Sequence, residues 1–370
     1  MAEPLKNLYG AEVPRRIAAM IGAVHPAFDG KAFLKTALNG YEALALMPRG
    51  SHIADALHAH LPRDYPMAIR IVLASLNEPA HLRAGNALAS FLFLPHTLFV
   101  AKYGLQHFEL SMQAQHTLTQ RFSAEFSIRK FIEQNQILAL AFLRQWATDP
   151  SEHVRRLVSE GTRPRLPWAQ RLRDFQRDPR PVVELLELLK DDASLYVRRS
   201  VANNLNDIGK DHPDVMIAVA ERWLKGANEN RRWIVRHALR SAVERGEPGA
   251  LRLMGFGDSA KVAIHASKIT PVRVKKGATA TIAFQVAGTA KTTQHLLVDL
   301  KVHFVKANGK SNAKVFKLRE LDLPSHTTAL FAKRLSLKDL TTRKHYPGVH
   351  RVEAIINGHA YPVGQFTLVL

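Results

Sequence analysis

Two carboxylates and an arginine occupy positions from which they could act on a glycosidic bond. Glu125 opens one helical segment, and Glu160 lies one helical turn beyond Arg156 in a later segment. Carboxylates beside such a bond can stabilise the positive charge that develops on the sugar as the bond breaks. The ordinary alternatives are an ion pair between Glu125 and Arg129, four residues later, and a carboxylate that merely favours a helix N-terminus.

Aromatic and polar side chains accompany these carboxylates. Phe126 follows Glu125, and Trp168 lies in a proline-rich loop, where an exposed indole is hard to explain as core. An aromatic face can contact a cation. Asn203 shares a helix face with Asp207, a residue that could contact the ligand, act as a further carboxylate or cap a helix. The candidate substrate-binding residues are therefore Phe126, Trp168, Asn203 and Asp207.

These candidates lie in a helical part of the chain that extends from the N-terminus to about residue 260. The segment 181–190 shows the pattern most clearly, because its apolar residues recur at the spacing of one helix face. These residues are Val182, Leu185, Leu186 and Leu189. Short breaks rich in Asp, Pro and Gly separate such segments, which predicts helix after helix joined by short turns.

A local pattern recurs four times in the helical part: a β-branched residue, an arginine, a basic or ring residue, then apolar positions. The segments are SIRKFI at 127–132, HVRRLV at 153–158, YVRRSV at 196–201 and IVRHAL at 234–239. The last two intervals, 43 and 38 residues, are close to the period of HEAT and armadillo arrays. The pattern predicts stacked repeats, each with an inner helix that presents a polar face.

A helical-wheel projection places the outward residues of these inner helices. Opposite the apolar stripe lie Arg199, Asn203, Asn206 and Asp207 in the third helix, and Trp233, His237 and Arg240 in the fourth. Stacked side by side, such faces would form an arginine-lined groove that can follow a phosphate backbone. The candidate DNA contacts are Arg155, Arg199, Arg232 and Arg236. The repeat by itself is equally compatible with a scaffold that binds proteins.

From about residue 268 the apolar pattern alternates as in strands. Val298, Leu300, Val302 and Phe304 share one face, and turn signals follow at Asn308-Gly309, Pro347-Gly348 and Asn357-Gly358. About seven strands in roughly 100 residues are typical of an immunoglobulin-like sandwich, with a six-stranded barrel as the alternative. The sequence therefore predicts two domains, an all-α HEAT-like array over 1–265 and an all-β immunoglobulin-like sandwich over 266–370.

The charge is strongly basic and unevenly distributed. The chain has 52 Lys and Arg against 32 Asp and Glu, a formal net charge of +20. Residues 265–370 hold 17 against five, so this smaller part contributes +12. Such an excess favours a polyanion as partner, nucleic acid or an anionic membrane surface. We interpret the β domain as a second phosphate-contacting surface and expect it to have a core separate from that of the array.

The composition excludes several kinds of site. There are no cysteines, which rules out disulfides, cysteine nucleophiles and cysteine-ligated metal centres. The eighteen histidines lack the spacing of a metal site, and no glycine-rich phosphate motif is present, so we expect no metal and no cofactor. The N-terminus lacks a signal-peptide pattern, and the apolar run at 88–101 is too short to span a bilayer.

Three segments resemble the AlkC branch of the AlkD/AlkC superfamily of alkylated-base DNA glycosylases. They are AEFSIRKF at 124–131, SEHVRRLVSEGTRPRLPW at 151–168 and LYVRRSVANNLNDIGK at 195–210. A HEAT-like array followed by an immunoglobulin-like domain is also an AlkC feature. The resemblance implies catalytic carboxylates at Glu125 and Glu160 and an active-site arginine at Arg156. It further implies monofunctional hydrolysis of the N-glycosidic bond of cationic N3-alkylated bases, 3-methyladenine and 3-methylcytosine, with the damaged nucleotide kept in the helix.

The expected function is base excision repair on double-stranded DNA that contains alkylated bases. We expect a monomeric bacterial enzyme, cytoplasmic and nucleoid-associated, with no membrane partner. The alternative is a non-catalytic HEAT-repeat scaffold that binds nucleic acid or protein. Two carboxylates within a basic groove favour the enzyme, because a pure phosphate-binding surface would avoid negative charge there.

Overall fold

The structure, a computed structural model, describes residues 7, 9–76, 89–257, 260–340 and 343–370. Its helices precede its strands, as predicted. The chain divides into two compact units. The first comprises Met1–His212 and Gly226–Ala238, and the second comprises Pro213–Lys225 and Leu239–Leu370. The second unit therefore contains helical segments as well as the strands, whereas the sequence placed the division after residue 265.

Fifteen α-helices lie within the described residues, with two 3₁₀ turns at Tyr41–Ala43 and Ala89–Phe93. The helices are α1 (Glu12–Val24), α2 (Gly30–Leu38), α3 (Leu46–His60), α4 (Tyr65–Ala74), α5 (Leu94–Tyr103), α6 (Phe108–Leu118), α7 (Ile128–Gln134), α8 (Gln136–Trp146), α9 (Glu152–Gly161), α10 (Arg173–Arg177), α11 (Arg180–Leu189), α12 (Leu195–Ile208), α13 (Pro213–Leu224), α14 (Glu229–Glu244) and α15 (Pro248–Leu253). None of these described helices is both long enough and apolar enough to span a bilayer.

Helices form where the sequence places apolar residues on one face. The stripe predicted for 181–190 is confirmed, since all four of its apolar residues are buried in α11. Val154, Leu157 and Val158 form a buried stripe of the same kind in α9. The four arginine-containing segments fall in α7, α9, α12 and α14. The helical repeat is therefore a property of the fold and not only of the sequence.

The first arginine of each Val-Arg-Arg segment anchors the loop before its own helix. Arg155 donates to the carbonyl oxygens six and five residues before it, at 2.8 and 3.0 Å. Arg198 makes the same two bonds, at 2.9 and 2.6 Å. Arg155 also forms a two-bond ion pair with Asp192, at 2.6 and 3.1 Å. Arg155 and Arg198 thus each hold the loop before their helix, and their side chains stabilise the fold.

The outward face predicted for α12 is partly wrong. Asn206 and Asp207 are buried, at 3% and 1% exposure, although their positions lie opposite the apolar stripe. The amide of Asn206 donates to the carbonyl of Ala238 at 2.6 Å, and Asp207 accepts from Arg163 and Lys210. Neighbouring segments pack on that side as well, so these polar groups are buried with hydrogen-bond partners, as buried polar groups require.

Eight strands lie within the described residues and form two sheets. They are β1 (Val262–Thr270), β2 (Arg273–Lys275), β3 (Thr279–Gly288), β4 (Gln294–Val305), β5 (Ser311–Leu323), β6 (Thr328–Ser336), β7 (Gly348–Ile356) and β8 (His359–Val369). One sheet has the order β1-β3-β6 and the other β2-β8-β7-β4-β5. The sandwich is confirmed and the barrel alternative is wrong. The three-residue β2, which pairs in parallel with β8, was not predicted, because it is too short to show an alternating pattern.

The two sheets enclose a single apolar core. Val298, Leu300, Val302 and Phe304 of β4 lie in it, as the alternation predicted. The predicted Asn308-Gly309 and Asn357-Gly358 turns join β4 to β5 and β7 to β8. Gly309 and Gly358 have positive φ angles of 75° and 82°, which glycine adopts without strain.

Within the second unit, α15 packs against the sandwich. Leu251 and Phe256 form a small buried cluster with Leu297 of β4. The β7–β8 turn also approaches the backbone beyond α14, since a Cβ built on Gly246 would lie 2.9 Å from the Cα of Gly358. The helical and β parts of this unit therefore share contacts close enough to require glycine on both sides.

Candidate active site

An open cavity of about 520 Å³ lies in the first unit, where the segment before α7, the helix α9, the loop after it and the start of α12 meet. This volume is in the range of ligand sites. It is lined by Phe91, Thr119, Gln120, Arg121, Phe122, Ser123, Glu125, Phe126, His153, Arg156, Glu160, Arg163, Leu166, Pro167, Trp168 and Tyr196. All three predicted catalytic residues and two of the four predicted substrate-binding residues are among them.

Arg156 joins the two carboxylates. Its Nη1 lies 2.5 Å from Oε2 of Glu125, and its Nη2 lies 3.5 Å from Oε1 of Glu160. Ser123 donates to the same Oε2 at 2.8 Å. Oε1 of Glu125 has no hydrogen-bond partner among the described residues, so this oxygen is available to a substrate or a water molecule. The sequence predicted that Glu125 begins a helix. In the structure it lies in the turn before α7.

Glu160 is the more deeply held carboxylate. Its Oε1 also accepts from Arg163 at 2.7 Å, and its Oε2 accepts from Ser200 at 2.6 Å. The side chain is only 7% exposed, against 15% for Glu125. Both oxygens of Glu160 are thus engaged by the protein, which gives this carboxylate a supporting position behind Arg156.

The ion pairs continue away from the cavity. Arg163 donates from Nε to Asp207 at 2.8 Å, and Lys210 donates to the other oxygen of Asp207 at 2.7 Å. Burial lowers the pKa of Arg163, but Glu160 and Asp207 together raise it above its ordinary value. The resulting row alternates in sign and runs Glu125, Arg156, Glu160, Arg163, Asp207, Lys210. Its charges balance, so the buried members are compensated, as buried charges must be.

Phe126, Trp168 and Tyr196 are among the aromatic residues that line the cavity. Phe126 is half-buried in the cavity wall, and Trp168 is 68% exposed at a backbone φ of 64°. The sequence argument did not find Tyr196, whose ring lies 5.1 Å from the guanidinium carbon of Arg156. Burial raises the pKa of its phenol, while Arg156 lowers it. The exposed indole confirms the interpretation that Trp168 is not a core residue.

The other site predictions fall outside the cavity. Asn203 is half-buried, and neither it nor Asp207 lines the cavity. Arg199, Arg232 and Arg236 are exposed, the second of them paired with Glu229 at 2.7 Å. Arg155 is bound to Asp192, as described above. Arg163 was not predicted either, although it lies in the EGTRPRLPW segment and pairs with Glu160, three residues before it, a spacing that could have identified it.

Arg129 does not pair with Glu125. Its guanidinium donates to backbone carbonyl oxygens of the loop that follows α9, so the simple i, i+4 ion pair is wrong. Within the described residues, no group of three or more His, Asp or Glu is placed to hold a metal ion.

Comparison with known proteins identifies the family. Residues 118–242 match the family described as DNA alkylation repair enzyme, and residues 263–370 match the C-terminal Ig-like domain of the uncharacterised protein YhaZ. The solved structure of the Pseudomonas fluorescens alkylpurine DNA glycosylase AlkC, bound to DNA containing an abasic site analog, matches with a TM-score of 0.91 and 40% identity, over the whole of both chains. The chain belongs to the AlkC family of DNA glycosylases.

A second relative matches nearly the whole chain. The "Uncharacterized protein YhaZ" of Bacillus subtilis (strain 168) is 36% identical over 355 residues, which is 96% of each chain. The family confirms the resemblance found in the sequence, including its order of a helical region followed by an Ig-like domain. The chain is therefore an AlkC-like member of the DNA alkylation repair enzymes.

Proposed function

We propose that this protein excises cationic N3-alkylated bases, 3-methylcytosine and 3-methyladenine, from double-stranded DNA by monofunctional hydrolysis. The observation that carries the proposal is the Glu125–Arg156–Glu160 group in an open, aromatic-walled cavity. It is supported by likeness to an alkylpurine DNA glycosylase that was solved on abasic-site DNA.

The chemistry needs stabilisation of a cation and no general acid. An N3-alkylated base is already positively charged, so when the bond between C1′ and the base breaks, the electron pair leaves with the base and neutralises it. The sugar is left as an oxocarbenium-like cation. A carboxylate close to C1′ stabilises that cation and can orient the water that adds to it. The products are a neutral base and an abasic site, and the proton lost by the water passes to the carboxylate or to solvent.

We assign the contact with the sugar and water to Glu125, because its Oε1 has no partner among the described residues. Glu160, with both oxygens engaged, positions Arg156, and Arg156 fixes the orientation of Glu125. Trp168 and Phe126 offer aromatic faces to the cationic base or sugar, where a desolvated contact is worth up to about 2 kcal/mol.

Exposed arginines on the inner helices supply the remaining DNA contacts of this proposal. We assign phosphate contacts to the exposed Arg199, Arg232 and Arg236, whereas Arg155 pairs with Asp192. Asp207 acts through Arg163 and does not touch the substrate.

A basic and aromatic patch marks the β domain. Lys314, Lys333 and Arg343 lie within 6.0 Å of the ring of Phe316, at 5.5, 6.0 and 5.8 Å. Among the described residues none of these three cations has a carboxylate partner within ion-pair distance. Unpaired cations held beside an aromatic ring suit a phosphate backbone, and we propose that this patch carries the DNA contact of the β domain.

The experiment is excision from defined duplexes, each with a single 3-methylcytosine or 3-methyladenine, followed by alkaline cleavage of abasic sites. The matched controls are an undamaged duplex and the Glu184→Gln variant, which removes an exposed carboxylate that pairs with Arg144. Release of either base, with no strand cleavage before alkali, is the expected result. DNA binding without excision of either base would contradict the proposal and favour a non-catalytic HEAT-repeat scaffold.

The same proposal sets the biological context. A glycosylase that works on one lesion at a time needs a single active site, and the cavity is formed within one chain. We propose a monomer that acts in the bacterial cytoplasm at the nucleoid, where its substrate lies.

A further inference from the structure

Arg129 is buried in the wall behind the cavity and is committed to backbone. The side chain lies in the first turn of α7 and is 3% exposed. Its Nη1 donates to the carbonyl oxygens of Gly161 and Arg163, at 3.2 and 2.8 Å. Its Nε donates to the carbonyl oxygen of Gln170 at 3.0 Å, and Nη2 donates to that same oxygen. Burial lowers the pKa of this guanidinium to about 10, so it remains a cation at neutral pH.

These carbonyls bracket the loop that displays Trp168. We define the Trp168 loop as residues 162–172, between α9 and α10. Arg163 lies five residues before the indole and Gln170 lies two residues after it, so one guanidinium fastens both sides of the loop. Trp168 has a left-handed backbone, which costs a residue with a side chain about 1–2 kcal/mol and persists only when the surroundings hold it.

The same helix also holds the carboxylate. Glu125 lies in the turn that leads into α7, and the amide of Ile128 donates to the carbonyl of Ala124 at 3.0 Å to begin that helix. The end of α9 is fitted closely to α7 too, because a Cβ on Gly161 would lie 2.6 Å from Ile128. Glu125 and Trp168 therefore occupy two walls of one cavity, and both walls are attached to the first turn of α7.

We propose that Arg129 is the positioning residue that fixes Trp168 relative to Glu125, and so sets the width of the cavity that receives the damaged nucleotide. The expected effect on excision rests on the proposed function. The claim that Arg129 holds Trp168 in place does not. A planar guanidinium has five N–H donors in a fixed fork, so it can reach the carbonyl oxygens of Gly161, Arg163 and Gln170 together. A lysine keeps the charge and loses most of these bonds.

The test is Arg129→Lys, made alone and in a Trp168→Ala background, with Arg144→Lys as the matched control at an exposed ion pair. Because a displacement of about 1 Å can cost about 10²-fold in rate, we expect single-turnover excision to fall by roughly 10- to 100-fold in the Trp168 chain. In the Trp168→Ala background the same change should have almost no further effect, since coupled residues are not additive.

Two readouts do not depend on excision. Acrylamide quenching of the Trp168 fluorescence, taken as the difference from the Trp168→Ala chain, should increase in Arg129→Lys. Trypsin should cleave after Arg165 or Arg171 in the Trp168 loop of the variant at concentrations that leave Arg144→Lys intact. If Arg129 only stabilised the fold, its replacement would lower the melting temperature without changing the quenching or the cleavage in the Trp168 loop.

If Arg129→Lys does not fold, a glycine inserted after Ala169 decides the question, because it displaces the Gln170 carbonyl and leaves Arg129 in place. Equal losses of excision with and without Trp168, or unchanged quenching and proteolysis in either altered chain, would overturn the proposal. Absence of excision by the unaltered protein would instead reject the proposed function, while quenching and proteolysis would still test the role of Arg129.

Discussion

The two carboxylates of the cavity should respond differently to the same substitution. In Glu125→Gln the side chain keeps its shape but loses the charge, and only Arg156 loses an ionic partner. In Glu160→Gln both Arg156 and Arg163 lose an ionic partner, and the Glu160 side chain is only 7% exposed. The pair of variants therefore separates catalysis from support of the fold.

The structure gives the expected magnitudes. Removing one member of a buried ion pair costs about 3–5 kcal/mol, and the remaining bond from Arg163 to Asp207 places Glu160→Gln near the lower end of this range. Glu125→Gln should cost about 1 kcal/mol, because Arg156 keeps Glu160 and Ser123 as partners. Loss of a charge that stabilises the transition state lowers rates by about 10²–10³-fold, and we expect this in Glu125→Gln. Excision should also fall in Glu160→Gln, because this carboxylate positions Arg156, which orients Glu125.

The assay combines single-turnover excision from a 3-methylcytosine duplex, DNA affinity by fluorescence anisotropy, and unfolding in urea. Affinity should stay near that of the unaltered protein in both variants, and Glu184→Gln is the matched control. Near-normal excision by Glu125→Gln would remove this carboxylate from the mechanism. Equal unfolding free energies for the two variants would refute the reasoning that Glu160 is the structural partner.

Three further predictions concern binding, pH and truncation. Arg199→Gln should weaken DNA binding and reduce the slope of log K against log salt by roughly one, and an unchanged slope in a salt titration would contradict a phosphate contact. Burial raises the pKa of Asp299 to about 6, so the folded protein binds a proton more tightly than the unfolded chain, and stability should fall by about 3 kcal/mol as the pH rises from about 4 to 6. Urea titrations of Asp299→Asn between pH 4 and 8 should lack that decline, and an equal decline in the variant would contradict it. A chain that ends at residue 265 exposes Leu251 and Phe256, which pack on the sandwich, so circular dichroism should show a folded but less stable array that has lost most DNA affinity. Full excision by that folded truncation would reduce the β domain to an accessory.

The sequence predicts those features that depend on local periodicity. The stripe of α11 and the alternation in β4 each identify an element, because the apolar residues of each lie on one buried face. The same reasoning fails for Asp207, which lies on a polar face that a neighbouring loop covers through Arg163. A helical wheel shows which residues share a face but not what packs on it.

The candidate site was predicted in the same uneven way. Family resemblance brought Glu125, Glu160 and Arg156 together, and the cavity contains all three. Tyr196 could not be assigned, since it joins the site through Arg156 of another helix. The pair of Arg163 with Glu160 has i, i+3 spacing, but the bond from Arg163 to Asp207 spans 44 residues and has no local signal. The alternative of an ion pair between Glu125 and Arg129 is wrong, because spacing suggests i, i+4 pairs and says nothing of distant carbonyl groups.

The two Asn-Gly hairpins of the β domain, although alike in sequence, differ in how they can be engineered. Hairpin tips are ordinarily sites where a chain tolerates inserted residues or labels. At Gly309 nothing lies within 4 Å of an added Cβ, so a label there meets no neighbouring atom, although the φ of 75° strains a residue that carries a side chain. At Gly358 an added Cβ would meet Leu251 at 2.8 Å and Gly246 at 3.0 Å, so the same label would separate α15 from the sheet. A probe for DNA-binding studies of the β domain therefore belongs on the β4–β5 hairpin.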